Sequence, residues 1–294
     1  MTWVMGSTGR RIMTLTAFVA ALGGLVACGN PPYPRGSAEQ LFAGSTTPTM
    51  AQQIVQGHVI STARVQAEPG SPATRSGTLL LFVHGSPGDW KAWSYYLKTP
   101  ELAGFAGRVA VDRPGFGASG GGRVVTDLRQ QAALLSALIP AGQKALVIGH
   151  SLGGPIAAWM AIDAPEKVCG ALSIAGSLSS RFEEPRWYNL LADSALLGWA
   201  IPGEMAWSNQ EMMPLSGELR KLEAAMSQLR TPLLLIQGGK DSLVDPRTAD
   251  EVEKRAPRTW LKVLRFPAET HFVLWEKPQI IVDAIKDMSC ASSR

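Results

Sequence analysis

The chain has 294 residues, 46% of them hydrophobic, and a formal net charge of +4 at pH 7. One α/β domain with an insertion uses up a chain of this length and apolar content. With Arg10 and Arg11 set aside, 26 basic residues face 24 acidic ones, and the remaining +2 is too small and too scattered for a nucleic-acid partner.

Arg10 and Arg11 precede an uncharged stretch over 12–27, and small residues lead into Cys28. A positive start, a short apolar run and small residues before a break predict a secretory signal over 1–27. The run falls short of the ~20 residues that a membrane-spanning helix prefers. Asn30-Pro31-Pro32-Tyr33-Pro34 then reads as a stiff tether within 28–51.

An alternating stretch over 53–66, which includes His58, predicts an antiparallel hairpin at a sheet edge. A buried strand over 78–83 ends in His84-Gly85-Ser86-Pro87-Gly88, a glycine-rich end that lets the Ser86 N–H face a reacting carbonyl. Helical spacing follows over 90–98, then a strand over 108–111. Gly115-Phe116-Gly117-Ala118-Ser119-Gly120 spells a dinucleotide-binding pattern, but no helix opens on those glycines; the next begins near Thr126 or Asp127. The run reads as a loop above the sheet.

The apolar run 144–148 predicts a strand, and 155–162 a helix with Pro155 in its first turn. Between them lies Gly149-His150-Ser151-Leu152-Gly153-Gly154, a turn so tight that a Cβ at 149 or 153 would collide. This is the G-x-S-x-G nucleophile elbow, with Ser151 at the positive end of a helix and the Leu152 N–H as a second oxyanion donor. A serine hydroxyl needs a base, and that base needs an orienting acid. Of four histidines, His58 lies in the hairpin, His84 ends a strand elsewhere and His150 points away from the elbow as a neighbour of Ser151. His271, just past a strand over 260–266, is left as the base. The acid belongs after another strand: 232–237 is followed by Gly238-Gly239-Lys240-Asp241, and Asp241 is preferred over Asp245. A strand over 168–175, helical spacing over 247–255 and a closing helix over 279–288 complete the alternation. That alternation, over 52–175 and 231–294, predicts a mostly parallel central sheet with helices on both faces. It stops between 176 and 228, an insertion that carries Trp187, Tyr188, Trp199, Met205, Trp207, Met212 and Met213. Cys169 at a strand start and Cys290 at the end of the last helix fall at the bottom of the sheet, where an oxidising compartment would permit a disulfide. No metal-ligand spacing occurs, and no cofactor is expected.

The segments at 84–88, Asp112-Arg113-Pro114-Gly115-Phe116-Gly117-Ala118-Ser119, 149–154, 238–241 and His271-Phe272 together resemble the α/β-hydrolase family, in its branch with a small cap domain. The resemblance implies Ser151 as nucleophile, His271 as base and Asp241 as orienter. It also implies that 176–230 is a small helical cap inserted after the sixth strand. Aromatics and methionines there would suit an apolar pocket or would pack the cap onto the sheet domain. Haloalkane dehalogenases and epoxide hydrolases carry an aspartate nucleophile where this chain has Ser151. Proline iminopeptidases usually have a second glycine where it has Ser86. Leu25-Val26-Ala27 before Cys28 resembles the lipobox of bacterial lipoproteins, which implies cleavage before Cys28 and its lipidation. The implied location is the bacterial cell envelope, at the outer membrane in a Gram-negative cell because Gly29 follows.

The expected function is that of a membrane-anchored serine hydrolase cleaving a small apolar carboxylic ester. The same three residues could act instead on amide, thioester or C–C bonds or in perhydrolysis. A lipid-anchored binding protein on a hydrolase scaffold is the non-enzymatic alternative.

Overall fold

A computed structural model describes residues 33–67, 77–121, 123–194, 198–288 and 290. The expected signal over 1–27, Cys28 and the first part of the tether lie outside the described residues. From Pro34 onward the chain forms one compact unit.

Its frame is an eight-stranded sheet: β1 (Thr49–Val55), β2 (His58–Gln66), β3 (Leu79–Val83), β4 (Gly107–Val111), β5 (Ala145–His150), β6 (Val168–Ile174), β7 (Leu233–Gly238) and β8 (Leu261–Phe266). The spatial order is β1-β2-β4-β3-β5-β6-β7-β8. The expected edge hairpin is present: β1 and β2 pair antiparallel through a two-residue turn in which Gln56 and Gly57 both have positive φ. That is the twist-compatible hairpin geometry. β2 runs antiparallel to β4, and every other pairing is parallel. The parallel strands β3, β4, β5 and β7 are buried at every residue, which is why they read as largely apolar runs, broken only by Arg108, His150 and Gln237.

The helices are α1 (Ala38–Leu41), α2 (Ser94–Lys98), α3 (Leu128–Ser136), α4 (Gly153–Asp163), α5 (Trp187–Asp193), α6 (Gly203–Met212), α7 (Leu215–Ala225), α8 (Thr248–Arg255), α9 (Val273–Glu276) and α10 (Pro278–Asp287). Ser37 caps α1 with its hydroxyl and Asp127 caps α3 with its carboxylate. α4 is buried from Gly153 to Ala161, so its apolar residues cover the whole circumference instead of one stripe. α5, α6 and α7 make up the helical insertion between β6 and β7.

One boundary moves. The tether expected to reach residue 51 ends earlier, because Phe42 is fully buried with its ring 6.3 Å from that of Trp90, and β1 already begins at Thr49. A polar composition around 35–48 conceals that single apolar anchor.

From β3 the chain crosses to β4 on one side, and from β5 it crosses to β6 on the other. The carboxyl ends of β3 and β5 therefore diverge into a crevice, the place where open α/β sheets bind ligands. His84–Gly88 and Ser151 lie at that crevice. At the opposite end of the strands, a cavity of about 260 Å³ is bordered by Cys169, Trp260 and Cys290.

Cys169 and Cys290 are joined as a disulfide with Cα atoms 5.2 Å apart, closing a separation of 121 residues. A bridge across so long a loop is worth about 2–4 kcal/mol. A form starting after Cys28 should therefore show no free thiol in denaturant without reductant. Replacing both cysteines by serine should lower its Tm by about 5–10 °C, read by circular dichroism.

Candidate active site

Ser151 occupies the turn between β5 and α4 with φ at +54°. A non-glycine residue held there costs about 1–3 kcal/mol, which the surrounding packing must supply. The elbow has no slack: a Cβ at Gly149 would lie 2.0 Å from the Gly153 carbonyl oxygen, and one at Gly153 would lie 2.3 Å from the Val83 carbonyl oxygen. The Ser151 N–H donates to Ile174 O at 3.0 Å, pinning the turn to the end of β6.

Asp241 and His271 come together from the ends of neighbouring strands. Gly238 and Gly239 let the loop after β7 lie against the loop after β8, where a Cβ at Gly238 would fall 2.6 Å from Glu269 O. The Lys240 N–H then donates to Glu269 O at 2.9 Å. This contact carries Asp241 Oδ2 to 2.8 Å from His271 Nδ1. Asp241 Oδ1 accepts from the Leu243 and Val244 N–H groups at 2.9 and 2.8 Å, and its side chain is wholly buried. With Nδ1–H given to the carboxylate, the neutral imidazole keeps Nε2 as a proton acceptor. Among the described residues no hydrogen bond joins the Ser151 hydroxyl to His271, whose hydrogen-bond partners are Asp241 and His150. Asp245 is turned elsewhere, holding Arg247 at 2.6 Å on the surface.

His150 behaves differently from expectation. Its ring does not turn idly away from the elbow; it packs 4.8 Å from the ring of His271, and its Nε2–H donates to the His271 carbonyl at 3.1 Å. Burial, and then the neighbouring imidazole, push its pKa down to about 3, so it buttresses His271 as a neutral ring.

The other side of the crevice is formed by Gly85 and Ser86, whose bond to Pro87 is cis. Gly85 approaches Ser151 so closely that an added Cβ would meet the serine Cβ at 2.9 Å. The Ser86 and Leu152 N–H groups have no acceptor among the described residues. His84, expected only to end its strand, lies buried beneath this loop. The Arg113 N–H donates to its Nε2 at 3.0 Å, so its proton sits on Nδ1 and is donated to Gly85 O at 2.7 Å. Burial and the Arg113 cation hold its pKa well below the usual histidine range.

The glycine-rich run 115–120 is a loop with no helix opening on it, and it wraps the Asp112 carboxylate, which accepts from the Trp90 and Ala118 N–H groups at 2.8 and 2.9 Å. No nucleotide cradle results.

In the insertion, Trp187, Trp199 and Met205 are exposed, so these side chains do not line an enclosed apolar pocket. Trp207 packs instead toward Phe116, with rings 6.5 Å apart. Sequence reasoning missed a buried polar group that the insertion contributes. Glu211 of α6 pairs with Arg113, which is itself wholly buried, and accepts the Ser86 hydroxyl at 2.6 Å. With Ser208-Asn209-Gln210 before it and Met212-Met213 after it, its sequence context gives no signal of burial.

Glu183, also of the insertion, adds a second carboxyl near the site. It bonds Ser177, whose N–H donates to Ser151 O at 3.3 Å, while its own Oε1 is buried with no partner among the described residues. Burial, and then Asp241 and Asp245, outweigh Ser177 and Arg186 and push its pKa up to about 7. A carboxyl raised in the folded state favours the fold while protonated. Its contribution is complete below the unfolded value near 4.5 and is lost as pH rises toward 7. Replacing Glu183 with Gln should remove that fall, so the Tm advantage of E183Q over the parent should be larger at pH 8 than at pH 4.5. An advantage that does not change with pH would contradict the assignment.

A sequence profile described as the alpha/beta hydrolase family matches residues 80–284. Epoxide hydrolase B of Mycobacterium tuberculosis is 30% identical over 128 residues, which cover 40% of this chain and 34% of that protein. The dihydrolipoyllysine-residue acetyltransferase component of an acetoin cleaving system from Pseudomonas putida is 27% identical over 231 residues, 68% of this chain and 60% of that one. The chain thus spans about a third to three-fifths of these relatives. The solved monoacylglycerol lipase of Paleococcus ferrophilus superposes with a TM-score of 0.61 at 20% identity, over 78% of this chain and 99% of that one, a likeness of fold. Because the profile runs from β3 to α10 and so takes in the elbow, the insertion and both later loops, the chain belongs to the alpha/beta hydrolase family.

Proposed function

We propose that this protein is a serine hydrolase that cleaves carboxylic esters through an acyl-enzyme. The observation that carries the reading is the 2.8 Å bond between His271 Nδ1 and a buried, doubly anchored Asp241, in a fold whose elbow holds a serine. His271 Nε2 takes the Ser151 proton as Oγ attacks the ester carbonyl, and Asp241 stabilises the imidazolium that forms. The Ser86 and Leu152 N–H groups receive the oxyanion. His271 then protonates the departing alkoxide, and water, deprotonated by the same nitrogen, releases the acid.

The serine itself favours acyl transfer over the epoxide chemistry named for the mycobacterial relative. Opening an epoxide with a serine hydroxyl would leave an ether, which no water can hydrolyse, whereas an acyl-serine is an ester that water cleaves. Substituting Ser151 with Ala should reduce hydrolysis of p-nitrophenyl butyrate by at least about 10⁴-fold with the fold intact, and Asp241→Asn should cost about 10³–10⁴-fold. Unchanged turnover by S151A would remove it as the nucleophile.

The lipobox-like run before Cys28 supports a chain cleaved at that cysteine and tethered by lipid to a bacterial envelope membrane. Among the described residues no helix is long and apolar enough to cross a membrane. Cells expressing the full chain with an alkyne-labelled palmitate should yield a labelled, detergent-extracted protein. Cys28→Ala should lose the label while keeping esterase activity; label retained on C28A would refute the attachment site.

A further inference from the structure

The Gly85–Ser86 peptide is gripped from behind. Its carbonyl oxygen accepts two hydrogen bonds, from His84 Nδ1 at 2.7 Å and from Arg113 Nη2 at 2.9 Å. In a trans peptide the carbonyl and the N–H point in opposite directions, so fixing Gly85 O also fixes where the Ser86 N–H points. Arg113 is in turn held by Glu211, through Nη1 to Oε1 and Nη2 to Oε2, and by Gln131 Oε1 at 3.0 Å. Gln131 Nε2 also donates to Glu211 Oε1 at 3.0 Å.

Glu211 reaches the same peptide a second time. Its Oε2 lies 2.6 Å from Ser86 Oγ, and Ser208 Oγ lies 3.0 Å from that oxygen. Ser86 has one hydroxyl proton. The shorter, charge-assisted contact takes it, which leaves Ser208 as a donor to Ser86. One carboxylate on the inserted helix α6 thus holds both ends of a single peptide unit, the carbonyl through Arg113 and the following side chain directly.

We propose that Glu211 is a positioning residue for the oxyanion hole, aiming the Ser86 N–H through Arg113 and through the Ser86 hydroxyl. The insertion then contributes to the oxyanion hole through α6. The inference rests on the acyl-transfer reading of Ser151. Because charged groups buried in pairs add little net stability but fix geometry through directional hydrogen bonds, the expected signature is kinetic.

Four proteins test it: the parent, Ser86→Ala, Ser86→Thr and Glu211→Gln, with the S86A/E211Q double variant closing a cycle. Reaction with a fluorophosphonate first establishes that the parent carries a reactive Ser151; a parent that fails to react overturns the nucleophile reading and this inference with it. In a reactive parent, Ser86→Ala removes only the hydroxyl and leaves the backbone donor present. It should lower kcat for p-nitrophenyl butyrate and the phosphonylation rate each about tenfold, with KM within twofold and Tm within a few degrees. Ser86→Thr should recover part of the loss. Glu211→Gln should lower kcat in the same way, and the double variant should lose much less than the product of the two single losses. A kcat for Ser86→Ala within twofold of the parent, or losses that multiply fully, would overturn the proposal while leaving Ser151 as nucleophile. Should Glu211→Gln fail to fold, the comparison of Ala and Thr at position 86 decides alone.

Discussion

Everything in the site is referred to one constraint, the absence of room around the turn from β5 into α4. Backbone oxygens of Val83 and Gly153 stand where side chains at 153 and 149 would be. Only glycines permit the turn, and the turn holds Ser151 at positive φ. A residue so confined cannot relax away from the crevice. The loops after β3, β7 and β8 can then be arranged around a fixed point, and the strand order places the first of them beside it. The His150 ring uses the same rigidity: as the residue before the serine, it transmits the position of the elbow to the His271 backbone.

A second layer of organisation is polar and buried. Arg113, Glu211, Gln131, His84 and the Gly85 carbonyl bond one another with little access to water, while Arg113 Nε has no partner among the described residues. Removing one member would leave an unpaired buried charge, so such a group is costly to break even where it is nearly neutral to possess. It joins the inserted helices to the sheet domain by directional bonds. Apolar contacts alone would tolerate sliding.

Much of this was legible in the chain. The central strands read correctly because parallel strands covered on both faces are mostly apolar, β8 because its residues alternate, and the hairpin because its alternation ends in a two-residue turn. The loops carrying Ser151, Asp241 and His271 were located by glycine and by strand ends, which are local signals. What was not legible depended on long separations. Glu211 meets Arg113 across 98 residues, and no periodicity marks such a pair. Phe42 was lost in polar surroundings for the same reason, since its partner Trp90 is 48 residues away. The insertion's tryptophans misled because hydrophobicity predicts burial only on average: Trp199 is 83% exposed while Trp159 is 2% exposed.

The bridge between Cys169 and Cys290 draws a line through the molecule that the fold alone does not. Asp241, His271 and Glu211 lie inside the covalent loop it closes, and Ser86, Arg113 and Ser151 lie outside. A backbone cut anywhere in the insertion would fall between β6 and β7. Such a cut falls within the loop, so the two fragments stay linked until a reductant separates them. The oxidised chain, cut in the insertion, would thus remain one covalent molecule.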